Sequence, residues 1–236
     1  MTPPNALAQR LASWTPLDAD ALRAIERLCA MPRRRLPARR EFLREGDRPV
    51  QVHILLEGWA CRQVMLPDGR RQIVGFHLPG DLLWSPVGDV RLDFSVLALT
   101  PTTVVSIPTG SFEPFVSQHP GIAEALAMQE RVSQAIQRRW LVNLGQRTAF
   151  ERIGHLFCEL LHRLEPIGMA KGQGFAFPVT QVELAEATGL TPVHVNRVLR
   201  DMRLQGLIGL ENRVLQILQF SALAQRALFD PGYLAP

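Results

Sequence analysis

The C-terminal third of the chain carries the pattern that most constrains its fold, because helix-starting residues and a turn glycine follow one another there at short spacing. Thr180 has a glutamate three residues later, and the two form a capping box that starts a helix. Gly189 supplies the positive φ that a tight turn between two helices needs. Thr191 and Pro192 then repeat the start signal. This order predicts a helix-turn-helix, whose second helix commonly enters the major groove of DNA.

The second helix of this motif has one apolar face, formed by Val195, Val198 and Leu199, and one polar face. An ordinary pair of antiparallel helices with a glycine in the turn is the alternative interpretation. The helix-turn-helix is favoured because caps, small residues, glycine and apolar positions all agree with it.

The flanking sequence completes a small domain around this motif. Thr148, with a glutamate at the capping-box position, predicts a helix to about Leu164. After the motif, the apolar runs 207–210 and 214–218 are expected to pair as a two-stranded wing. Ser221 is expected to cap a last short helix.

The charge balance favours a nucleic-acid partner only locally. The chain has 26 Lys and Arg against 22 Asp and Glu, a net charge of +4. From Thr148 to the end, however, eight basic and eight acidic residues balance, whereas a DNA-binding domain is expected to be basic. The second helix itself carries three arginines against one aspartate. Because counterion release depends on charge at the contact surface, DNA binding remains the favoured interpretation.

Between Glu45 and Ile107 short apolar runs alternate with turn sequences, which is typical of β structure. Glycines at 46, 58, 69 and 80 are 12, 11 and 11 residues apart. Evenly spaced turns predict a β jelly roll, which can enclose a small ligand, so this part is interpreted as a sensor. The arginine-rich run 33–40 is interpreted as a solvated strand edge, with a nucleic-acid patch as the alternative.

A long helix is expected from about Ile122 to Gly145. Its apolar stripe has the spacing of a coiled-coil seam between two copies of the chain. Packing of the stripe on the chain's own β domain is the alternative, and the two do not exclude each other. Gly145 is the expected hinge towards the DNA-binding part. The stripe consists of Ile122, Leu126, Val132, Ile136, Trp140 and Leu144.

Together these features resemble the Crp/Fnr family of transcription regulators over nearly the whole chain. The resemblance rests on the turn 45–47, the run 68–81, the long helix and the segment 180–207. It implies an α+β fold with an N-terminal β jelly roll, a long dimerisation helix and a C-terminal winged helix-turn-helix, as a homodimer on a two-fold operator. The implied domains are 1–118 for the N-terminal helix and β-roll sensor, 119–146 for the dimerisation helix and hinge, and 147–236 for the DNA-binding domain.

With this resemblance, the residues expected to contact DNA are Thr180, Thr191, Val193, His194, Asn196, Arg197 and Arg200. The resemblance also assigns roles on the second helix. Arg197 matches the base-reading arginine of the family and is expected to contact guanine, with a phosphate contact as the alternative. Asn196 is expected to contact adenine or a phosphate, and His194 either contacts DNA or is solvated. Val193 replaces a glutamate of many relatives and, because valine accepts no hydrogen bond, is suited to a thymine methyl. The two capping threonines also suit phosphate contact.

The chain departs from relatives that bind known effectors. Members that bind cyclic AMP carry an adjacent Arg-Ser pair that holds the phosphate, where this chain aligns Leu92 and Asp93. An aspartate there would repel a phosphate, which argues against cyclic AMP. Oxygen-sensing members bind an iron–sulfur cluster through several cysteines, and Cys29 with Cys61 cannot supply four thiolates. The sequence therefore leaves the effector unassigned.

The remaining histidines and cysteines give little indication of a haem or metal site. Haem ligation by His53 or His77 is an open alternative. His155, Cys158 and His162 share one helix stripe, for which we expect an ordinary polar surface and no bound metal. Because no catalytic triad, phosphate-binding loop or paired-carboxylate pattern occurs, we expect no enzyme activity.

Composition points to the cytoplasm. Three widely spaced cysteines form neither a disulfide framework nor a metal pair, so reduced thiols are expected. No apolar run approaches the roughly 20 residues of a membrane span, and the first residues lack the apolar core of a signal peptide.

The expected function is sequence-specific DNA binding by a transcription regulator under a signal at the β-roll other than cyclic AMP. RNA polymerase would be a further partner if the protein activates. One alternative is a ligand-binding module that acts on a protein partner. The other is a constitutive DNA binder with an empty β-roll, controlled by expression level or by cysteine oxidation.

Overall fold

The protein is described by a computed structural model that covers residues 5–84 and 91–235. The chain divides into two compact units, Met1–Arg131 and Val132–Pro236. The long helix, Pro120–Gln146, contributes residues to both units.

The N-terminal unit combines helices with two sheets. Its helices are α1 (Ala6–Ala12), α2 (Ala19–Cys29), α3 (Thr109–Ser117) and the first part of α4 (Pro120–Gln146). Its strands are β1 (Arg33–Leu36), β2 (Glu41–Leu43), β3 (Gln51–Glu57), β4 (Ala60–Met65), β5 (Arg71–His77), β6 (Leu82–Trp84), β7 (Ser95–Ala98) and β8 (Thr102–Pro108).

The strands form the predicted jelly roll. One four-stranded sheet has the order β1-β8-β3-β6 and the other β2-β7-β4-β5, with antiparallel neighbours throughout. The four evenly spaced turn glycines all have φ near +87°, a region that residues with a Cβ rarely adopt. The arginine-rich β1 lies at a sheet edge with its three arginines exposed, as the solvated-edge interpretation expected.

Apolar side chains fill the space between the two sheets, and a second cluster covers the outer face of β3 and β8. The first cluster includes Leu55, Leu83, Val96 and Val104, all almost fully buried. In the second cluster α1, α2, α3 and the start of α4 pack on the outward side chains of the strands. This second layer explains why the strands β3 and β8 are buried on both faces and show almost no polar alternation.

A buried arginine fixes helix α1, which was not predicted from the sequence, to the β-roll. Arg10 is 4% exposed, and its guanidinium donates to the carbonyl of Pro79 at 3.0 Å. The same side chain pairs with Asp81, its Nε 3.0 Å from Oδ1. The turn at Gly80 lies close to α1, because a Cβ on Gly80 would lie 2.6 Å from the Ala6 carbonyl oxygen.

Helix α4 corrects the predicted dimer seam. Ile122, Val132 and Trp140 are 1%, 6% and 6% exposed within the single chain, so they cannot form a seam between two copies. Ile122 belongs to the core that covers the β-roll. This agrees with the alternative interpretation, in which the stripe packs on the chain's own β domain. The chain's own core thus buries half of the predicted stripe, whereas Leu126, Ile136 and Leu144 are only partly buried. A separate line along α4 is exposed and consists of Ala127, Arg131, Gln134, Arg138, Leu141 and Gly145.

The C-terminal unit is a winged helix-turn-helix. Its further helices are α5 (Ala149–Leu164), α6 (Gln181–Thr188), α7 (Pro192–Leu204) and α8 (Phe220–Arg226), with a 3₁₀ turn at Pro231–Leu234. Its strands are β9 (Ala170–Lys171), β10 (Gly174–Ala176), β11 (Ile208–Glu211) and β12 (Val214–Ile217), in the sheet order β11-β12-β10-β9.

Two details of this unit differ from the sequence-based expectation. The last helix begins at Phe220 after Gln219, whose side chain makes no capping hydrogen bond, so the predicted cap at Ser221 is wrong. His155 and Cys158 on α5 are fully buried, so the predicted polar surface is wrong for both, although His162 is partly exposed. The C-terminal segment after α8 folds back over this side of α5, with the Phe229 and Tyr233 rings against His155.

Two glycines of the C-terminal unit give a matched test of this packing. We expect Gly154→Ala to lower the free energy of unfolding by about 1–3 kcal/mol, because its Cβ would lie 2.9 Å from the Ala227 Cβ. Gly145→Ala is expected to be neutral or to stabilise by up to about 1 kcal/mol, since among the described residues no atom lies within 4 Å of its Cβ position.

Denaturant unfolding of both variants measures the difference. Equal stability of the two variants would contradict the close approach of α5 and α8.

Candidate nucleic-acid interface

The first helix of the helix-turn-helix, α6, begins at a closed capping box. The Thr180 hydroxyl accepts the Glu183 backbone N–H at 3.2 Å, and Glu183 Oε2 accepts the Thr180 N–H at 2.8 Å. The Thr180 hydroxyl donates to the same carboxylate oxygen at 2.9 Å. Because Glu183 is 2% exposed, this cap fixes the start of α6 firmly to the domain.

The turn between α6 and α7 depends on Gly189, which has φ +63° and ψ +37°. A Cβ there would lie 2.9 Å from Leu144 Cδ2, so both backbone conformation and space favour glycine. The Arg152 guanidinium, on α5, donates to the carbonyl of Thr188 at 3.1 Å and satisfies the end of α6. These contacts set the angle at which α7 leaves the turn.

Helix α7 separates a buried face from an exposed face. Thr191 caps its start by accepting the His194 N–H at 3.2 Å, and Pro192 follows at the first helical position. The buried face consists of Val195, Val198, Leu199 and Met202. The exposed face contains the predicted DNA-contacting residues Val193, Asn196, Arg197 and Arg200, with His194 partly exposed at its edge.

This exposed face combines a large apolar group with cationic and amide groups. Val193 is 81% exposed, which no requirement of folding explains. Residues 193, 196, 197 and 200 lie on one side of the helix because their spacing is three or four residues. The structure therefore brings the predicted base-contacting side chains together, with both capping threonines, Thr180 and Thr191, exposed at the starts of their helices.

One contact on this surface was missed by the sequence analysis. The Asn196 Nδ2 donates to Gln181 Oε1 at 3.2 Å, which links α7 to the first residue of α6. Both side chains are exposed. A glutamine one residue after the capping threonine gives no signal of such a pairing, because the contact spans 15 residues of sequence.

A buried carboxyl group on α5 connects other parts of the C-terminal unit. Glu159 is fully buried, and its oxygens accept from Trp140 Nε1 at 3.3 Å and from the Tyr233 hydroxyl at 2.9 Å. Arg163 lies 3.5 Å away on the same helix. Burial raises the pKa of Glu159, while Arg163 and the hydrogen-bond donors act in the opposite direction. The carboxyl thereby joins the end of α4 and the C-terminal 3₁₀ turn to α5.

A neutral histidine lies beside this carboxyl. The Arg147 guanidinium donates to Asn143 Oδ1, which turns the Asn143 amide nitrogen towards His155 Nδ1 at 3.2 Å. His155 must therefore accept at Nδ1 and carry its proton on Nε2. Its ring stacks on Tyr233 with centroids 5.8 Å apart. Burial, together with the nearby arginines, lowers the pKa of His155 to about 3.

The β-roll holds a cation next to the position aligned with the phosphate-binding pair. The Arg62 guanidinium lies 4.3 Å from the centroid of the Phe94 ring. Burial lowers the pKa of Arg62, and carboxylates, Glu130 first, act in the opposite direction. At the aligned pair Leu92 is buried and Asp93 is exposed. Because leucine is apolar and aspartate is anionic, neither side chain can clasp a phosphate.

The histidines of the β-roll are core groups. His53 is 5% exposed, its Nδ1 is 2.8 Å from the Ser106 hydroxyl, and its ring packs edge-on against Phe42. Burial lowers the pKa of His53 to about 4. His77 is 7% exposed. Haem ligation by either residue stays a prediction, and among the described residues no group of three or more His, Cys, Asp or Glu side chains could hold a metal.

The three cysteines are all buried free thiols. Burial raises the pKa of Cys29, and it raises the pKa of Cys158 to about 12. Because the thiolate is the form that reacts with oxidants, neither of these two is an exposed redox sensor in the folded protein.

Two known protein families match the two parts of the chain. A model of the Crp-like helix-turn-helix domain matches residues 151–226, and a model of the cyclic nucleotide-binding domain matches residues 33–119. The nitrogen fixation regulation protein FixK of Bradyrhizobium diazoefficiens is 32% identical over 82% of this chain and 80% of its own length. This chain belongs to the Crp/Fnr family. It is a DNA-binding transcription regulator and not an enzyme.

Two further comparisons support the Crp/Fnr assignment. The transcriptional activatory protein AadR of Rhodopseudomonas palustris is 33% identical over 73% of each chain. The solved structure of FixK2 from Bradyrhizobium japonicum matches with a TM-score of 0.73 and 24% identity, over 82% of this chain and 96% of that one, which shows a shared fold. Among the described residues, no helix of this Crp/Fnr protein has the length and apolarity to cross a membrane.

The buried histidine predicts a pH dependence of stability. Because the pKa of His155 is about 3 in the folded protein and about 6.5 when unfolded, only the unfolded state binds a proton as the pH falls below 6.5. Its contribution to stability is therefore present above pH 6.5 and is lost progressively towards pH 3, by about 2 kcal/mol at pH 5.

Nuclear magnetic resonance of the imidazole, assigned by loss of the signal in His155→Gln, checks the cause directly. We expect a neutral ring with its proton on Nε2 from pH 8 to pH 5. A midpoint near pH 6.5 would show that the ring is not held as described.

Proposed function

We propose that this protein binds a pseudo-palindromic operator as a homodimer in the cytoplasm and regulates transcription there. The observation that carries the proposal is the exposed face of α7, on which Val193, Asn196, Arg197 and Arg200 lie together above a fully buried opposite face. An α-helix of this kind fits the major groove, where the base edges differ for every base pair. The proposed domains are 1–118 for sensing, 119–146 for dimerisation and 147–236 for DNA.

The exposed residues have different chemical roles in this proposal. Arg197 reads a guanine through O6 and N7, the commonest specific contact of an arginine in the major groove. Asn196 reads an adenine, and Val193 contacts a thymine methyl. Arg200, one turn further along, binds a phosphate, as do the helix starts at Thr180 and Thr191.

Dimerisation through α4 supplies the two-fold symmetry. The face available for it is the exposed line from Ala127 to Gly145, in which Leu141 is 70% exposed, together with the neighbouring Val142, which is 41% exposed. Apolar side chains at this exposure near the end of a long helix favour burial against a second copy. Two-fold symmetry then places the half-sites about one turn of DNA, roughly 34 Å, apart.

Control is proposed to come from a signal at the β-roll other than cyclic AMP, because the phosphate-binding pair is absent at Leu92 and Asp93. Such a signal acts by shifting an existing equilibrium between two arrangements of the DNA-binding domains. The related AadR is named as a transcriptional activator, so activation with RNA polymerase as a partner is proposed here as well. Control by oxidation is disfavoured, because the three thiols are buried.

A role in binding a protein partner is the second candidate, favoured by the equal numbers of basic and acidic residues from Thr148 onwards. The salt dependence of operator binding separates the two. A protein that neutralises phosphates loses DNA affinity steeply as salt rises, with a log–log slope of about −0.9 for each phosphate. A flat dependence would favour the protein-partner alternative.

Two arginines of α7 test the proposed roles against each other. Arg197→Ala is expected to lose about 1–3 kcal/mol of specific binding and to relax selectivity at one base pair. Arg200→Ala, the matched control on the same face, is expected to weaken binding to all sequences alike and to reduce the salt slope by about 1.

Binding of both variants to a set of single-base operator variants measures these effects. A uniform loss for Arg197→Ala would show that Arg197 is not a base-reading residue.

A further inference from the structure

The pairing of Gln181 with Asn196 has consequences for which base the protein selects. Asn196 is on the exposed face of α7, and it donates one Nδ2 hydrogen to Gln181 Oε1 at 3.2 Å. An asparagine amide carries two N–H donors and one carbonyl acceptor. One N–H and the carbonyl oxygen therefore remain available after the pairing.

The remaining pair of groups is the one that an adenine requires. In the major groove adenine presents N7 as an acceptor and N6 as a donor, and an asparagine that offers one N–H and one carbonyl contacts both. Without a partner, the exposed amide would also sample the flipped orientation and other rotamers. The bond to Gln181 fixes the amide, so less conformational freedom is lost on binding.

The backbone of Gln181 is held in place. It is the first residue of α6 and follows Thr180, whose backbone and hydroxyl both bond to the buried Glu183 carboxylate. The backbone from which the Gln181 side chain extends is therefore one of the firmly fixed points of the helix-turn-helix. Because its backbone is fixed, the Gln181 side chain can orient the Asn196 side chain across the turn.

We propose that Gln181 is a positioning residue for base recognition, which orients the Asn196 amide so that it selects adenine. This inference rests on the proposed function, because it requires α7 to lie in the major groove. Gln181 acts through Asn196 and needs no base contact of its own. Its effect is confined to the base pair that Asn196 reads.

The test compares substitutions at Gln181 that keep or remove the acceptor. Gln181→Met keeps length and removes the acceptor, and it is expected to reduce discrimination for adenine at one base pair about fivefold, the order of one neutral hydrogen bond. Gln181→Glu keeps an acceptor and cannot donate. It is expected to retain the discrimination while binding every sequence more weakly, because its charge repels phosphates. Gln225→Met, an exposed glutamine on α8, is the matched control and should change neither quantity.

Asn196→Ala identifies the base pair concerned, and a double-mutant cycle completes the test. In the Asn196→Ala background, Gln181→Met should have no further effect on selectivity. The thermal midpoint and the affinity for non-specific DNA should be equal in Gln181→Met and the parent, which separates positioning from a general structural role.

Two results would overturn the inference in different ways. If the parent protein selects an operator but Gln181→Met keeps full discrimination at the Asn196 base pair, the positioning role is wrong and the proposed function stands. If the folded parent protein selects no sequence, the proposed function fails and the positioning role fails with it.

Discussion

The arrangement of the C-terminal unit depends on the buried carboxyl group of Glu159. It accepts hydrogen bonds from Trp140 near the end of α4 and from Tyr233 in the C-terminal turn, and Arg163 lies beside it. A buried carboxyl is costly without partners, so removal of any one donor leaves the carboxyl group with an unsatisfied oxygen. The three segments are thereby held together on α5, which in turn packs against both helices of the helix-turn-helix.

The same network ties α4 to the DNA-reading surface. Asn143 on α4 contacts His155, and Arg147, directly after α4, donates to Asn143 and to the carbonyl of Leu228. Leu144 lies under the turn glycine, Gly189. The last turns of the long helix therefore pack directly against the helix-turn-helix. Helix α4 continues through Gly145 to Gln146, and the place of Gly145 as a pivot stays a prediction.

Local signals made much of the fold predictable. The capping boxes at Thr148 and Thr180, the glycine at 189 and the evenly spaced turn glycines of the jelly roll are each encoded within a few residues, and the structure confirms them. Predictions failed where distant segments decide burial. His155 and Cys158 looked like a polar surface because the C-terminal segment that covers His155 lies more than seventy residues away. The apolar stripe of α4 was assigned to a partner chain, although the core of the same chain buries much of it.

The candidate site shows the same division. The side chains on the exposed face of α7 followed from helical spacing, whereas the link between Gln181 and Asn196 depends on how two helices cross. The exposed face of α7 could be predicted from periodicity, but which polar groups meet across the turn could not. Roles that depend on such side-chain contacts between helices, including the selection of individual bases, can be assigned only from the three-dimensional structure.

Selection of binding sites from random duplex DNA with the purified protein, without added ligand, tests the central claim most directly. The account predicts enrichment of a pseudo-palindrome whose half-sites are about one helical turn apart. Protein that is folded and dimeric but enriches no sequence, both alone and with candidate effectors of the β-roll, would contradict the claim that the exposed face of α7 reads DNA.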